Sequence, residues 1–210
     1  MHFLSIKLGA LLIGVIALSF YSGLGENLDT MTKKLYIMPI GKVDKDALAY
    51  LQNNLCQRFN LRCHLLEPIK IPDEALNKKR RQYYSPSILQ AILSNAPSDY
   101  HRILGIVEVD LYVPGLNFIF GQAEPRQGIA LISLTRLKQE YYGLSPNKEI
   151  FQQRMLKEAV HELGHTYRLG HCSNPRCVMY FSNSLMDTDR KGADFCPQCR
   201  EKVEAHLKNN

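Results

Sequence analysis

The interpretation of this sequence depends on the twelve residues HELGHTYRLGHC, which run from His161 to Cys172. His161 and His165 are four residues apart, so on a helix they lie about 40° apart around the axis and one turn apart along it. Both imidazoles can therefore bind one metal ion, with Glu162 beside the ion and not bound to it. His171 follows six residues after His165 and can supply a third ligand once the chain leaves the helix. The pattern predicts a catalytic zinc site with three protein ligands and one open position.

The same residues predict a reaction. Zinc in such a site lowers the pKa of a bound water towards about 7 and polarises a carbonyl oxygen. Glu162 would act as the general base, taking the proton of the water and delivering it to the leaving amine. This combination predicts hydrolysis of peptide bonds. The alternative is a chance match on an ordinary helix, and the third histidine and the cysteines that follow argue against it.

Four cysteines lie on the C-terminal side of these histidines, in two pairs with four and two intervening residues: Cys172, Cys177, Cys196 and Cys199. This spacing is typical of tetrahedral sites in which four thiolates hold one Zn²⁺. Because four thiolates leave no open position, the predicted second zinc is structural. It would brace the chain after His171 against a C-terminal helix at about residues 198–207. Disulfide bonds in an exported protein are the alternative.

These motifs resemble those of the archaemetzincins, a branch of the metzincin zinc metalloproteases. The family pattern is HExxHxxGxxH followed directly by Cys, four residues, Cys, one residue, Met, about seventeen residues and CxxC. The likeness extends upstream to residues 110–121 and 35–36, so it covers roughly residues 33–200. The resemblance implies a peptidase that acts on a peptide or protein substrate, with aminopeptidase-like activity on small peptides.

The resemblance also implies roles for individual residues and two Zn²⁺ ions per chain. The catalytic zinc would be held by His161, His165 and His171, and the structural zinc by Cys172, Cys177, Cys196 and Cys199. Glu162 would be the general base, and Met179 would lie in the turn beneath the catalytic metal. The segment 118–122 is similar to the sheet-edge strand that pairs with extended substrate in metzincins.

One residue departs from the family pattern. Arg168 stands where the family has glycine, and Gly170 follows two residues later. Glycine at this point lets the chain leave the helix with positive φ, which costs another residue about 1 kcal/mol. Either Arg168 adopts this conformation or Gly170 makes the turn, and in the second case His171 would miss the metal. The alternative function is therefore a catalytically inactive, zinc-stabilised peptide-binding module.

The composition fits an ordinary globular protein, since 45% of the 210 residues are hydrophobic and 22% are charged. We expect a single metalloprotease domain, residues 31–210, and a monomer. The net charge of +6 and the paired cysteines raise the alternative of a nucleic-acid-binding zinc ribbon. Aromatic residues are not interleaved with Lys and Arg around the four cysteines, so we expect no nucleic-acid partner. The basic run Lys78–Arg81 is interpreted as solvated surface without a function.

The alternation of apolar strands with amphipathic helices predicts an α+β (mixed α/β) fold. Strands are expected at residues 35–40, 61–66, 103–109 and 129–134, and helices at residues 44–59, 86–96 and 147–163. A Pro-Gly turn at residues 114–115 is expected to lead into an apolar strand over residues 118–123. With the resemblance, this implies a metzincin-like zincin fold with a mixed twisted sheet, an active-site helix and a small zinc-braced C-terminal subdomain. The cleft should lie between the helix and the sheet edge.

Other residues carry weaker expectations. Cys56 and Cys63 are expected to be buried small hydrophobic side chains without a function. Tyr180, directly after Met179, is a hypothetical hydrogen-bond donor to an oxyanion. Three further histidines lack ligand spacing and are expected to be structural or exposed: His64, His101 and His206.

The first thirty residues differ from the rest. Lys7 precedes an apolar run at residues 8–21, which would span about 21 Å as a helix, short of a hydrocarbon core of about 30 Å. Residues 1–30 are therefore predicted to be a signal peptide or an N-terminal membrane anchor, with Gly23 and Gly25 suited to a cleavage site. Translation from Met31 is the alternative. The protein would be exported or membrane-anchored in the first case, touching a membrane only through residues 1–30, and cytoplasmic in the second.

Overall fold

The computed structural model describes residues 33–209, and the predicted signal peptide or anchor at residues 1–30 lies outside the described residues. The strands are β1 (Lys34–Ile40), β2 (Arg62–Leu65), β3 (Leu76–Asn77), β4 (Gln82–Tyr84), β5 (Arg102–Val107), β6 (Leu111–Tyr112), β7 (Gly121–Glu124) and β8 (Ile129–Ser133). The helices are α1 (Lys45–Phe59), α2 (Ser85–Ser94), α3 (Lys148–Thr166), α4 (Leu185–Arg190) and α5 (Pro197–Asn209). Within this range, no helix has the length and apolar character needed to cross a membrane.

A five-stranded sheet with the order β2-β1-β5-β8-β7 organises the chain. The first four strands run parallel, whereas β7 pairs with β8 in the antiparallel sense and forms one edge. The side chains of β1, β5 and β8 are nearly all buried, as expected of parallel strands that are covered on both faces. The predicted mixed sheet is confirmed, and β7 is its exposed edge next to α3.

Helices cover both faces of this sheet because strand side chains alternate between the faces. Leu35 and Ile37 of β1 belong to the core that the sheet shares with α1 and α3. Tyr36 and Met38 of the same strand belong to the core shared with α2. The helices predicted before residue 170 are present, with ends within three residues of those expected.

The helix α3 carries the histidine motif and is held at both ends. Its start is capped by Asn147, whose side chain accepts a hydrogen bond from the backbone N–H of Ile150 (3.0 Å). The helix runs to Thr166, so that His161 and His165 both lie within it, as expected. Nearly all residues of its second half are buried, since it packs against the sheet on one side and against residues 178–195 on the other.

The prediction of an apolar strand over residues 118–123 is wrong for residues 118–120. The strand β7 begins only at Gly121. Before it, the ring of Phe118 packs edge-on against the ring of Phe120, with centroids 5.1 Å apart. Ile119 bridges to β6 of a second, smaller sheet with the order β3-β4-β6. Residues 118–120 are all apolar, and an extended loop that packs on the core needs apolar residues as a strand does. The apolar sequence alone therefore could not distinguish a loop from a strand.

Cys56 and Cys63 form a disulfide bond, so the expectation that they are simply buried small hydrophobic side chains is wrong. Both residues are half-buried, and their Cα atoms are 5.5 Å apart. They meet because α1 ends at Asn60, whose left-handed conformation reverses the chain into β2. The pairing depends on this reversal, which the spacing of the two cysteines does not indicate.

Candidate metal centres and active-site cleft

The last turns of α3 bring two histidine side chains together. Nδ1 of His161 donates a hydrogen bond to the carbonyl of Val178 (2.8 Å), and Nδ1 of His165 donates to the carbonyl of Leu169 (2.7 Å). A carbonyl can only accept, so each neutral ring carries its proton on Nδ1 and presents the lone pair of Nε2. The two Nε2 atoms are 3.1 Å apart. The pair is therefore oriented towards a shared metal ion.

The third histidine reaches the same point through a turn after α3. The sequence did not decide whether Arg168 or Gly170 makes this turn. Arg168 has a φ of 60°, the left-handed conformation that favours glycine, whereas Gly170 has no positive φ. Arg168 therefore makes the turn out of α3, and its backbone N–H donates to the carbonyl of His165 (2.8 Å). The ring of His171 then lies 5.1 Å from the ring of His165. The ligand nitrogens of the three histidines all lie within 4.8 Å of one another.

Burial keeps these imidazoles in the form that binds metal. Desolvation lowers the pKa of His161 to about 2, and it also lowers the pKa values of His165 and His171. The rings are therefore neutral near pH 7, and protons do not compete with a metal for the free lone pairs. Three neutral imidazoles around one point are a donor set that suits Zn²⁺. The residues present fit a catalytic zinc ion.

Glu162 lies beside the histidines, with 6% of its surface exposed. Burial, together with the nearby Glu158 carboxylate, raises the pKa of Glu162 to about 8 against the opposing effect of Lys191. The side chain packs on the edge strand, since a Cβ atom at Gly121 would lie 2.6 Å from Cγ of Glu162. Glycine at the start of β7 therefore allows the carboxylate and the sheet edge to approach each other.

Met179 packs under the helix that carries the histidines. It is fully buried, and a Cβ atom at Gly164 would lie only 2.4 Å from its Sδ. Gly164 thus permits the close approach of α3 to this turn. The carbonyl of Met179 accepts from the N–H of Cys172 (2.9 Å), and the preceding Val178 accepts from His161. The glycine that stands directly before His165 is the signal in the sequence for this contact.

The four cysteines form the second cluster of donors. Their Sγ atoms all lie within 4.8 Å of one another, and all four are free thiols. The disulfides considered as an alternative are therefore not formed at these positions. Burial raises the pKa values of Cys177 and Cys199, so a metal ion would displace protons on binding. The cluster joins the segment directly after His171 to the start of α5.

A cavity of about 390 Å³ opens between α3 and the sheet edge, where the cleft was expected. Residues 116–121 form one wall, and the three histidines and Glu162 line the other. Residues 181–183 also line the cavity, whereas Tyr180 does not. The hypothesis that Tyr180 assists an oxyanion therefore gains no support.

Two charged residues of this region were missed in the sequence. Glu158 lines the cavity one turn before Glu162 on α3. Nζ of Lys191 lies 3.0 Å from Oε1 of Glu158, and both side chains are almost completely buried. The hydroxyl of Thr188 donates to the same oxygen (3.0 Å). The four-residue spacing of the two glutamates was a usable signal, whereas Lys191 reaches the site only because α4 packs against α3.

Arg80 has a structural role that the interpretation of its basic run as solvated surface did not include. Its Nη2 donates to the carbonyls of Leu116 and Asn117, at 2.9 Å each. The guanidinium also lies 4.5 Å from the centroid of the Tyr112 ring. Arg80 thus holds the loop that forms one wall of the cavity.

The site belongs to a known class of protein. A helix that presents two imidazoles, a third imidazole beyond a turn and a carboxylate in the adjoining cleft are the features of zinc-dependent peptidases with a zincin-like fold. Within that class, the model of peptidase family M54 matches residues 26–205. The chain belongs to this family.

Individual relatives agree with this assignment. The chain is 44% identical over 184 residues to archaemetzincin from Pyrococcus furiosus, covering 84% of this chain and 95% of the relative. The crystal structure of archaemetzincin from Methanopyrus kandleri is similar with a TM-score of 0.75 and 35% identity, covering 85% of this chain and 97% of that one. The crystal structure of a zinc-dependent peptidase from Methanocorpusculum labreanum has a TM-score of 0.74 and 28% identity, covering 80% and 99%. The family resemblance, the zincin-like fold and the activity class of zinc metallopeptidase are thereby confirmed.

We expect Arg168→Gly to stabilise the protein by up to about 1 kcal/mol, because glycine adopts the observed φ of 60° without the steric cost of a Cβ atom. Chemical denaturation of the zinc-loaded chain measures the free energy of unfolding. Gly170→Ala is a matched control, since Gly170 has no positive φ and nothing lies within 4 Å of an added Cβ. It should change stability by less than about 0.5 kcal/mol. A marked loss of stability in Gly170→Ala would place the strained turn at residue 170 instead.

Proposed function

We propose that this zinc metallopeptidase removes residues from the amino-terminal end of short peptides and uses two zinc ions per chain. The catalytic ion would be held by His161, His165 and His171, and the structural ion by Cys172, Cys177, Cys196 and Cys199. The main support for hydrolysis of peptide bonds is that three neutral imidazoles and Glu162 line the same open cavity.

The residues of the cavity divide the catalytic work. When bound, zinc supplies Lewis acidity, which polarises a carbonyl oxygen and makes a water more acidic. Glu162 then takes a proton from the attacking water and passes it to the nitrogen of the leaving amine. A carboxylate whose pKa is raised by burial is a stronger base than an exposed one, and a cation held by the three histidines would favour its ionised form.

The edge strand β7 is suited to hold the substrate. Among the described residues it pairs only with β8, so one side of its backbone is free to pair with an extended peptide. The start of this strand, Gly121, touches Glu162. A peptide added along β7 would therefore run past the catalytic carboxylate and the histidines.

Glu158 supports the amino-terminal preference. It lines the cavity one helical turn before Glu162, so the Cβ atoms of the two glutamates are about 5–6 Å apart on the same face of α3. Lys191 and Thr188 both contact Oε1, which leaves Oε2 as an acceptor for a further donor. The protonated α-amino group of a substrate is such a donor, and an ion-paired hydrogen bond to it would place the first peptide bond near Glu162.

The general-base role predicts the behaviour of Glu162→Gln. The variant should lose at least about 100-fold in kcat, because the amide cannot accept the proton, while its zinc content stays unchanged. Peptide hydrolysis and elemental analysis on the same preparation give both quantities. Activity close to that of the wild type would rule out Glu162 as the base.

The zinc stoichiometry tests both metal sites. Elemental analysis of residues 31–210, purified under reducing conditions, should give two zinc ions per chain. His165→Ala should retain one ion and a folded C-terminal segment, whereas Cys196→Ala should lose one ion and unfold at a lower temperature. A wild-type chain with a single ion, bound by the cysteines, would support the inactive peptide-binding module instead.

The amino-terminal preference is tested with paired peptides. A short peptide with a free α-amino group should be cleaved with a kcat/KM at least about tenfold higher than its N-acetylated form, since the acetyl group removes the charge that Glu158 would bind. Glu158→Gln should reduce this ratio more than it reduces hydrolysis of the acetylated peptide. Equal rates for the two peptides would indicate internal cleavage, with zinc-dependent hydrolysis itself unaffected.

A further inference from the structure

A second cavity of about 310 Å³ is lined, among the residues that the structure describes, by cationic and neutral groups and by no acidic side chain. The basic and polar residues that matter here are Tyr100, His101, Arg102, Arg126, Thr166 and Arg168. They come from the start of β5, the turn between β7 and β8, and the end of α3. Three arginines thus line one space, and none of its described walls carries a negative side chain.

Arg102 is the central residue of this cavity. Its Nε is buried and finds no hydrogen-bond partner within residues 33–209, while Nη1 donates to the carbonyl of His101 (2.6 Å). The guanidinium lies 4.2 Å from the centroid of the Tyr167 ring. Burial lowers the pKa of Arg102, which means that its charge is poorly compensated.

In other arginines of the chain, an aspartate carboxylate balances the charge of the guanidinium group. Arg136 and Arg154 each form two hydrogen bonds to one aspartate carboxylate, at 2.6–2.7 Å. Across residues 33–209, Arg102, Arg126 and Arg168 form no ion pair. An anion from solution could occupy the place that aspartate takes elsewhere.

Contacts on the backbone hold the turn between β7 and β8 against the start of β5. The hydroxyl of Tyr100 donates to the carbonyl of Gln127 (2.9 Å), which fixes the turn that carries Arg126. Gly128 has a φ of 64°, and a Cβ atom there would lie 3.2 Å from the carbonyl of His101. Nε2 of His101 is also buried without a partner, and it is a further polar atom at the wall.

Arg168 connects this cavity to the departure from the family pattern. It occupies a position where the archaemetzincin motif has glycine, and it keeps a left-handed conformation that costs about 1 kcal/mol. Its backbone performs the turn that glycine would perform. Its exposed side chain adds a third arginine to the lining of the basic cavity. Strain that persists at such a position suggests a function for the side chain.

We propose that this cavity is a binding site for a phosphate-type oxyanion, either free phosphate or the phosphate of a small phosphomonoester. Guanidinium groups bind phosphate oxygens through paired N–H donors, and three of them match a dianion better than a single carboxylate. Thr166 and the neutral His101 can add one hydrogen bond each. The volume exceeds that of the bare ion, so a phosphomonoester also fits.

The test is isothermal titration calorimetry on the zinc-loaded chain at constant ionic strength. Three probes are compared: inorganic phosphate, glycerol phosphate and succinate. Saturable binding of the two phosphates, at least about tenfold tighter than that of succinate, is expected. Tighter binding of glycerol phosphate than of phosphate would identify a monoester as the ligand, and the reverse would identify the free ion.

Variants locate the bound anion. Arg168→Gly, which keeps the turn, and Arg126→Ala should each weaken phosphate binding at least about tenfold. Arg62→Ala removes the same charge from an exposed position in β2 outside the cavity and should change affinity less than about twofold. No saturable binding, equal binding of succinate, or unchanged binding in Arg168→Gly would each overturn the proposal. The last result would place the anion elsewhere, for example at the catalytic metal.

Discussion

The active site depends on two hydrogen bonds that join the histidines of α3 to backbone carbonyls beyond the helix. His161 is tied to Val178, and His165 is tied to Leu169. Each bond fixes a ring orientation and a tautomer, and each also fixes where the following chain must run. The turn at Arg168 and the packing of Met179 beneath Gly164 satisfy both bonds at once. The position of His171 and of the first cysteine follows from the same path.

This arrangement requires many polar groups to be buried, and the structure compensates most of them locally. Glu158 is paired with Lys191 and with Thr188, although all three are almost fully enclosed. A buried charge without a partner is energetically costly, so breaking these contacts is unfavourable. The network therefore holds the Glu158 side chain in one position on the wall of the cavity. Glu162 lacks such a partner and instead carries a raised pKa, which is suited to proton transfer. Among the described residues Arg102 has no acidic partner, and the proposed anion would supply one in the basic cavity around it.

Local patterns predicted the parts of the fold that depend on neighbouring residues. The helices near residues 44–59 and 147–163 were identifiable because their apolar residues recur with helical spacing and their starts carry side-chain caps at Asp44 and Asn147. The strand boundary at Gly121 was not identifiable. It depends on where β8 stops pairing and where the loop packs against β6, and neither is a property of residues 118–123.

The sequence by itself determined the family, the zincin-like class of fold and the groups of histidines and cysteines that could act as metal ligands. These follow from spacing along a helix and from short motifs, where the geometry is local and nearly independent of the rest of the chain. Only the tertiary structure decided that Arg168 makes the turn to His171, that Cys56 pairs with Cys63, and that Lys191 neutralises Glu158. It also brought Arg102, Arg126 and Arg168 to one cavity from three separate segments. Contacts of this kind form when segments that are distant in the sequence pack together, and a local sequence pattern does not indicate which segments will be neighbours.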